Sequence, residues 1–473
     1  MTITKRDYSL VGPESRRAFD RGLAEAAWWR PPIDDRRLAE LMERSDGRAA
    51  RDTALWLGLI IGLAVVVVVT WFSWFSIPLL IIYGALYGGA ADSRWHECGH
   101  GTAFRYGPAN TVIYYIASFM LWREPTMWRW SHYRHHTDTI IVGRDAEIVF
   151  QRPPDVKQLP LTFSNVVNGP KMFWRMGRHA LGRIDPDAAD FIPQSERKRL
   201  IWEDRAFVAI TAASAGLSLL LWNPLPILLV GLPTIYGAWL VVFFGLTQHA
   251  GLQEDVLDHR LNTRTVYMNP VFRWLYSNMN YHIEHHLFPG VPYYALPALH
   301  EELKDSLPPA LPNVRAAYRE LLGALREQEK DPTFELTDRA IPDVPSSGID
   351  PIDVGPMVRD DLKSGPEADL GPTTAVPVGR ARRVDVGGRT YALYRLADDD
   401  FVVSDGLCTH GQAHLAEGVI LDCTIECPKH NGRFDLRTGG PARKPVTEPV
   451  RVYPCEVVEG RVIADLSSTP VDR

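Results

Sequence analysis

The sequence predicts an all-α membrane domain of four transmembrane helices with a histidine-rich helical cap on its cytoplasmic side, followed by a small all-β domain. Three observations predict it. Two long runs, Ala54–Ala91 and Ala206–Leu246, carry no charged residue; groups of closely spaced histidines follow each of them; and beyond Lys330 the chain turns to proline, glycine and acidic residues, then to short alternating strands. At 473 residues the chain is long enough for several folded units. The expected division is 1–53, a cytoplasmic N-terminal helical segment; 54–330, the membrane domain; 331–371, a flexible linker; and 372–473, the β domain.

A spanning helix needs about 20 apolar residues, so each uncharged run suffices for a hairpin of two. The bends fall near Ser76–Pro78 and at Asn223-Pro224-Leu225-Pro226. A soluble core helix is rarely apolar on every face for so long. The first run follows some fifty charge-rich residues, unlike a signal peptide. Because each hairpin crosses and returns, the N-terminal segment, Asp92–Arg205 and everything after His249 share one side. Lys and Arg crowd those segments and are absent from both bends, which puts that side in the cytoplasm. Thr111–Trp122 is too short to span and reads as a re-entrant or interfacial helix. Trp28 and Trp29 fit either the bilayer surface or ordinary helix packing.

The net charge of −6 and interspersed basic residues exclude a nucleic-acid binder. Five cysteines, an odd number thinly spread, make no disulfide framework and serve better as metal ligands. The histidines are grouped as His96-Glu97-Cys98-Gly99-His100, His132-Tyr133-Arg134-His135-His136 and His282-Ile283-Glu284-His285-His286. On a helix, spacings of three and four place side chains on one face, so each group can aim its imidazoles at a common point. Eight imidazoles exceed what one ion accepts, which points to two metals; imidazole itself suits iron, zinc or copper. Asp92, Asp138, Asp145, Glu147 and Glu284 are the nearest carboxylates that could hold the outer ring nitrogens. His96-Glu97-x-x-His100 also reads as the zinc-peptidase signature, with Glu97 as base, although that reading leaves the other groups idle.

The order H-x3-H, H-x2-H-H, H-x2-H-H between two hydrophobic hairpins resembles the integral-membrane fatty acid desaturase and hydroxylase superfamily, over roughly residues 50–310. The resemblance implies that His96, His100, His132, His135, His136, His282, His285 and His286 ligate two non-haem irons. His249, just past the fourth span, stands where many members carry one further ligand. The stretches Trp95–Phe104, His135–Asp138 and Asn280–Pro289 also resemble a bacterial hydrocarbon-oxygenase branch that includes O-demethylases of methylated inosamines (rhizopines). That branch admits a substrate other than a lipid acyl chain, and the expected location is a bacterial inner membrane.

In the C-terminal part, Arg383–Tyr394 alternates around Gly387-Gly388 as a hairpin would, and Val450–Leu466 offers further strands. Cys408-Thr409-His410 and Cys427-Pro428-Lys429-His430 form C-x-H and C-x2-H loops. They resemble the Rieske signature, which implies one 2Fe-2S cluster held by Cys408, His410, Cys427 and His430; zinc on the same four residues is the alternative. Neither loop has the extra cysteine of respiratory Rieske proteins, so the ferredoxin-like class fits, and Cys423 and Cys455 are expected to be structural. No dinucleotide fingerprint is found. The two resemblances together imply that an external NAD(P)H-dependent reductase feeds the Rieske cluster, which feeds a di-iron site that uses O2 to desaturate or hydroxylate a lipid acyl chain in the membrane bilayer, or to oxidise a small methylated metabolite. A soluble-type Rieske oxygenase or a membrane-anchored electron carrier would leave most of the histidines unused.

Overall fold

Ser45 starts the first long helix of the computed structural model: its hydroxyl accepts from Arg48 N, and the helix runs Asp46–Val69. An N-cap of this kind satisfies a backbone donor that the first turn leaves without a partner. Hydroxyls also close the bend, Thr70 Oγ1 on Val66 O at 2.8 Å and Ser76 Oγ on Thr70 O at 2.7 Å. The chain returns through Ser76–Gly84, a π turn at Ala85–Gly89 and Ala91–His100. The second uncharged run lies in Gln194–Leu220, a π turn at Ile227–Gly231, Pro233–Gly237 and Trp239–His249.

The two returning segments are locked together at their π turns. A π turn loosens the helical ladder and frees carbonyls; the Tyr83 hydroxyl donates to Leu229 O at 2.6 Å and that of Tyr87 to Val230 O at 2.9 Å. Gly84 and Gly237 meet so closely that a Cβ on Gly237 would stand 1.9 Å from Gly84 O. This packing brings the ends of Ala91–His100 and Trp239–His249 to the same level, with His96, His100 and His249 on them.

Among the described residues, one helix, ending at Val69, is by itself long and apolar enough to cross a membrane, where four spans were expected. The physical reason lies in the other segments. Both returning segments are broken by their π turns, and the first half of Gln194–Leu220 is rich in charge.

The described residues are 6–24, 28–346, 367–411, 413–421, 423–427 and 432–467. The chain divides into one unit of Met1–Trp28 with Glu40–Val344 and another of Trp29–Ala39 with Pro345–Arg473. In the helical unit, Thr111–Trp122 falls in helix Gly107–Leu121; Trp122 then takes a left-handed φ of 54° and turns the chain into Pro125–Thr137. The amphipathic helix Val314–Lys330 buries Leu321 and Leu325, and its Gln328 amide donates to Gly251 O at 3.1 Å. The start of the expected linker is held on this unit: Arg152 donates to Phe334 O at 3.1 Å and Arg339 to Thr263 O at 2.8 Å.

Beyond Pro345 the described residues of the other unit are built chiefly of strands. Arg380–Val386 and Arg389–Ala397 pair antiparallel, Val386 opposite Arg389, across Gly387 and Gly388, both at positive φ as the tight turn requires. Asp400–Asp405 and Val452–Tyr453 complete that sheet. Arg461–Asp465 is flanked by Glu367–Pro372 and Cys455–Val458 in a second. The third holds Val419–Leu421, Thr424–Glu426, Arg433–Asp435 and Pro441–Arg443, and its strand Thr424–Glu426 leads into Cys427.

Candidate active site

The histidines of all three groups, with His249, meet in the helical unit as two clusters. His96, His100, His132, His136 and His285 form one; His135, His249, His282 and His286 form the other. The groups do not each serve one point. On Pro125–Thr137, the i,i+4 pair His132 and His136 joins the first cluster while His135, on a different face, joins the second. On His282–Leu287 the arrangement is mirrored: His282 and His286 go to the second cluster and His285 to the first. Interleaving of this kind needs the two helices to face each other, a tertiary fact that residue spacing does not contain.

Within each cluster ring nitrogens face one another. His132 Nε2 lies 3.0 Å from His100 Nε2 and 3.1 Å from His136 Nε2, and His136 Nε2 lies 3.2 Å from His285 Nε2. In the second cluster His282 Nε2 is 3.1 Å from His249 Nε2 and 3.2 Å from His286 Nε2. The opposite nitrogens of three rings are occupied: His132 Nδ1 by Glu147 at 3.2 Å, His135 Nδ1 by Asp145 at 2.8 Å, and His249 Nδ1 by Asn262 O at 2.8 Å. A carbonyl or carboxylate there requires the proton on Nδ1, so the inward Nε2 presents a lone pair. Lone pairs converging at these distances repel unless a cation lies among them. The donor set therefore fits two metal ions, bound by neutral imidazoles.

At six of these rings the electrostatics favour the neutral form, and His135 departs from them. Burial holds His96, His136, His249, His282, His285 and His286 well below the ordinary imidazole pKa. Burial also opposes a charge on His135, but the Asp145 carboxylate outweighs it and lifts the ring to about 9. Burial would raise Glu147, yet the neighbouring His132 holds it down at about 2.

Two of the carboxylates expected behind the imidazoles, Asp145 and Glu147, are there. The others are engaged elsewhere: Asp92 with Arg123, Asp138 with Arg144 at 3.0 Å, and Glu284 with His300 and the Thr265 hydroxyl, the latter at 2.6 Å. Short spacing put Glu284 near its helix-mates, but its position on the helix turns it away from the clusters. Glu97, the candidate peptidase base, accepts from the Thr102 hydroxyl and from Tyr293 N at 3.2 Å. The Asn262 carbonyl and Thr139, whose hydroxyl is 3.3 Å from His286 Nδ1, were missed by the sequence reading. A backbone oxygen and a common threonine leave no signal there.

A cavity of ≈ 330 Å³ opens onto His96, His132, His135, His249 and His282. Its remaining wall is mixed, with Trp95, Trp128, Val241 and Leu246 beside Asp92, Arg123, Glu147 and Gln248. A separate buried group fixes one helix start: Glu124, before Pro125–Thr137, accepts from His179 Nδ1 at 2.8 Å and Arg175 at 2.7 Å.

In the β unit, Cys408 and Cys427 are buried in one core cluster. Cys408 N donates to Ala413 O at 2.9 Å and Cys427 N to Gly432 O at 2.8 Å, bonds that close the two loops. Two buried thiols at the roots of loops, with His410 exposed at the surface of the first, suit the donor set of a Rieske cluster. His430 lies outside the described residues. Cys423 is exposed, Cys455 half-buried, and neither is in a disulfide.

A multi-histidine helical domain joined to a small thiolate–imidazole β domain defines the class: an oxidoreductase carrying its own electron-transfer module. The chain belongs to the fatty acid desaturase family, whose model, "Fatty acid desaturase", matches residues 69–318, and a second, "Rieske [2Fe-2S] domain", matches residues 368–454. The anthranilate 1,2-dioxygenase ferredoxin subunit of Burkholderia cepacia is 49% identical over 76 residues, 16% of this chain and 69% of that protein. The ferredoxin component of the naphthalene 1,2-dioxygenase system of Pseudomonas aeruginosa is 40% identical over 92 residues, 20% of this chain and 88% of its own. Among solved structures, the ferredoxin of carbazole 1,9a-dioxygenase from Nocardioides aromaticivorans IC177 matches at 32% identity and a TM-score of 0.20, over 21% of this chain and 95% of that one. The Rieske domain implies a 2Fe-2S cluster and an electron-transfer partner, a reductase or an oxygenase.

Proposed function

We propose that this protein is an O2-dependent di-iron membrane oxidoreductase that desaturates or hydroxylates a lipid acyl chain with electrons relayed by its own Rieske domain from an external NAD(P)H-dependent reductase. The observation that carries the reading is the convergence of Nε2 lone pairs at 3.0 to 3.2 Å in two clusters. His96, His100, His132, His136 and His285 would hold one iron, and His135, His249, His282 and His286 the other. Cys408, His410, Cys427 and His430 would hold the 2Fe-2S cluster. Bound iron supplies the activation of dioxygen and the removal of hydrogen from an unactivated C–H bond.

The residues do the rest. Asp145 and Glu147 keep the Nδ1 protons of His135 and His132 in place, which fixes each ring's tautomer and orientation. Trp95, Trp128, Val241 and Leu246 give the substrate an apolar wall and limit water at the clusters.

In this reading the metal sites lie on the cytoplasmic side of a bacterial inner membrane; insertion of the hairpins in a bilayer is supported by their tips. Phe72 and Trp74 are 87% exposed and Trp222 95%. Leaving a ring such as Phe72 in water forgoes about 1.5–3 kcal/mol, which a hydrocarbon environment recovers. The polar part of the cavity wall favours a second reading, oxidation of a small methylated metabolite of the rhizopine type.

Two measurements test the proposal. Metal analysis should find about four irons per chain, two in each centre; zinc in place of iron would overturn it. Mass spectrometry of products formed under labelled dioxygen from lipid and small methylated substrates should show either label insertion or a new double bond. Loss of unsaturated or hydroxylated lipids in a deletion strain supports the acyl chain, and unchanged lipids with an accumulating methylated compound support the second reading.

A further inference from the structure

A third group of metal-ligating side chains lies within the helical unit, outside both histidine clusters. Glu124 stands just before the helix Pro125–Thr137, His179 lies on Asn168–Ala180, and Asp204 on Gln194–Leu220. Each offers a ligand atom within 4.8 Å of the other two. All three side chains are fully buried, and none of them lines the cavity that opens onto the clusters.

Asp204 is the member that lacks a ligand of its own. Both of its carboxylate oxygens are buried without a hydrogen-bond partner, and Oδ2 faces His179 Nδ1 at 3.6 Å. The groups around it are already engaged. Glu203 accepts from Thr126 N at 2.8 Å and from Arg199 Nε at 3.0 Å. Arg175 holds Glu124 Oε2 at 2.7 Å and leaves Oε1 to His179 Nδ1 at 2.8 Å. A buried carboxyl without partners is costly in either form, since the anion needs a cation and the acid needs an acceptor for its proton. Burial, with Glu124 and Glu203 close by, pushes the Asp204 acid up to about 9, and a cation among the three side chains would hold it ionised.

We propose that Glu124, His179 and Asp204 bind a divalent transition-metal ion, distinct from both histidine clusters, that ties Pro125–Thr137 to the two helices carrying His179 and Asp204. Two carboxylate oxygens and one imidazole nitrogen suit Mn2+ or Zn2+, with water on the remaining positions. Binding releases one proton per ion. Asp204 gives up its acid proton, while the imidazole proton moves from Nδ1 to Nε2 and frees a lone pair on Nδ1. Nε2 then loses the long 3.3 Å bond that it accepts from Asp185 N, and the Asp185 carboxylate, 3.8 Å from the same nitrogen, is there to take the new N–H. No electron is exchanged. Because Pro125–Thr137 carries His132, His135 and His136, the ion is a brace for the clusters and takes no part in oxygen chemistry.

The test uses the full chain, loaded with iron first so that the histidine clusters are filled, and then Mn2+ alone as the probe, read by metal analysis and EPR. About one Mn2+ should bind per chain without displacing iron, and its spin-echo modulation should show the nitrogen of a single imidazole. Asp204→Asn, which keeps the shape and removes the charge, should lose that Mn2+ and keep its iron; His179→Gln should lose the nitrogen signal. Mn2+ should also raise the unfolding temperature of the wild type and leave that of Asp204→Asn unmoved. Mn2+ retained by Asp204→Asn at full iron overturns the site, as does Mn2+ that enters only when iron is withheld. If a variant does not fold, the wild type still decides: no bound Mn2+, or bound Mn2+ with no imidazole nitrogen or with several, overturns the site as well.

Discussion

Asp145 Oδ2 accepts from His135 Nδ1 at 2.8 Å and from Ile140 N at 2.8 Å, so one buried carboxylate both orients an imidazole of the second cluster and pins the loop behind it. Replacing it by asparagine keeps the size and removes the charge that favours a proton on Nδ1. Asp145→Asn should weaken metal binding by roughly tenfold to a hundredfold. Competition of the loaded protein with a graded series of chelators measures it, and wild-type retention would argue that the carboxylate serves the loop alone.

Acid should unfold the metal-free protein early. His96, His136, His249, His282, His285 and His286 have folded pKa values well below 6.5 because they are buried. Below about pH 6.5 the unfolded chain therefore binds protons that the folded rings refuse, and stability present above that pH is lost as it falls. His135 works in the opposite sense: raised to about 9, its contribution is full below 6.5 and is lost as pH rises through 9. Denaturant unfolding of metal-stripped protein should show greatest stability near neutrality with the steeper decline on the acid side. A flat response between pH 7 and 5 would contradict the buried neutral imidazoles.

Cys408→Ser removes a thiolate from the β unit and leaves the histidines of the helical unit unchanged. Turnover driven by NAD(P)H and reductase should vanish while iron in the two histidine clusters stays near wild type. Unchanged turnover would mean that electrons bypass the Rieske domain.

Glu97→Gln separates oxygenase from peptidase chemistry. Glu97 is engaged with Thr102 and Tyr293 N. The variant should therefore keep oxygen-dependent turnover at a rate close to wild type, whereas a zinc peptidase would lose its general base and nearly all of its activity. Oxygen uptake with substrate decides between them.

Gly237→Ala should be poorly tolerated. Its Cβ would fall 1.9 Å from Gly84 O, where backbone has to move, and overpacking of this kind costs about 1–3 kcal/mol or more. Because the same contact sets the level of His96, His100 and His249, iron content should drop along with thermal stability. An alanine variant as stable as wild type would show that the two returning segments can slide apart freely.

The amino-acid sequence by itself determined which side chains could serve as metal ligands and which kinds of element carry them. Imidazoles three and four residues apart, thiolate and imidazole in paired short loops, and uncharged runs of membrane length are local patterns, and local geometry makes them legible. The hairpin over Gly387-Gly388 was readable for the same reason, since two residues at positive φ leave few alternatives to a tight turn. Only the tertiary structure decided how the histidines divide. His132 and His135 lie three residues apart yet serve different clusters, because their partners come from helices far away in sequence. It also decided that Asp145 and Glu147, rather than Asp92, Asp138 or Glu284, stand behind the rings, and that Trp28 lies on His259. Such pairings depend on which elements pack face to face, and packing is set by the whole chain at once.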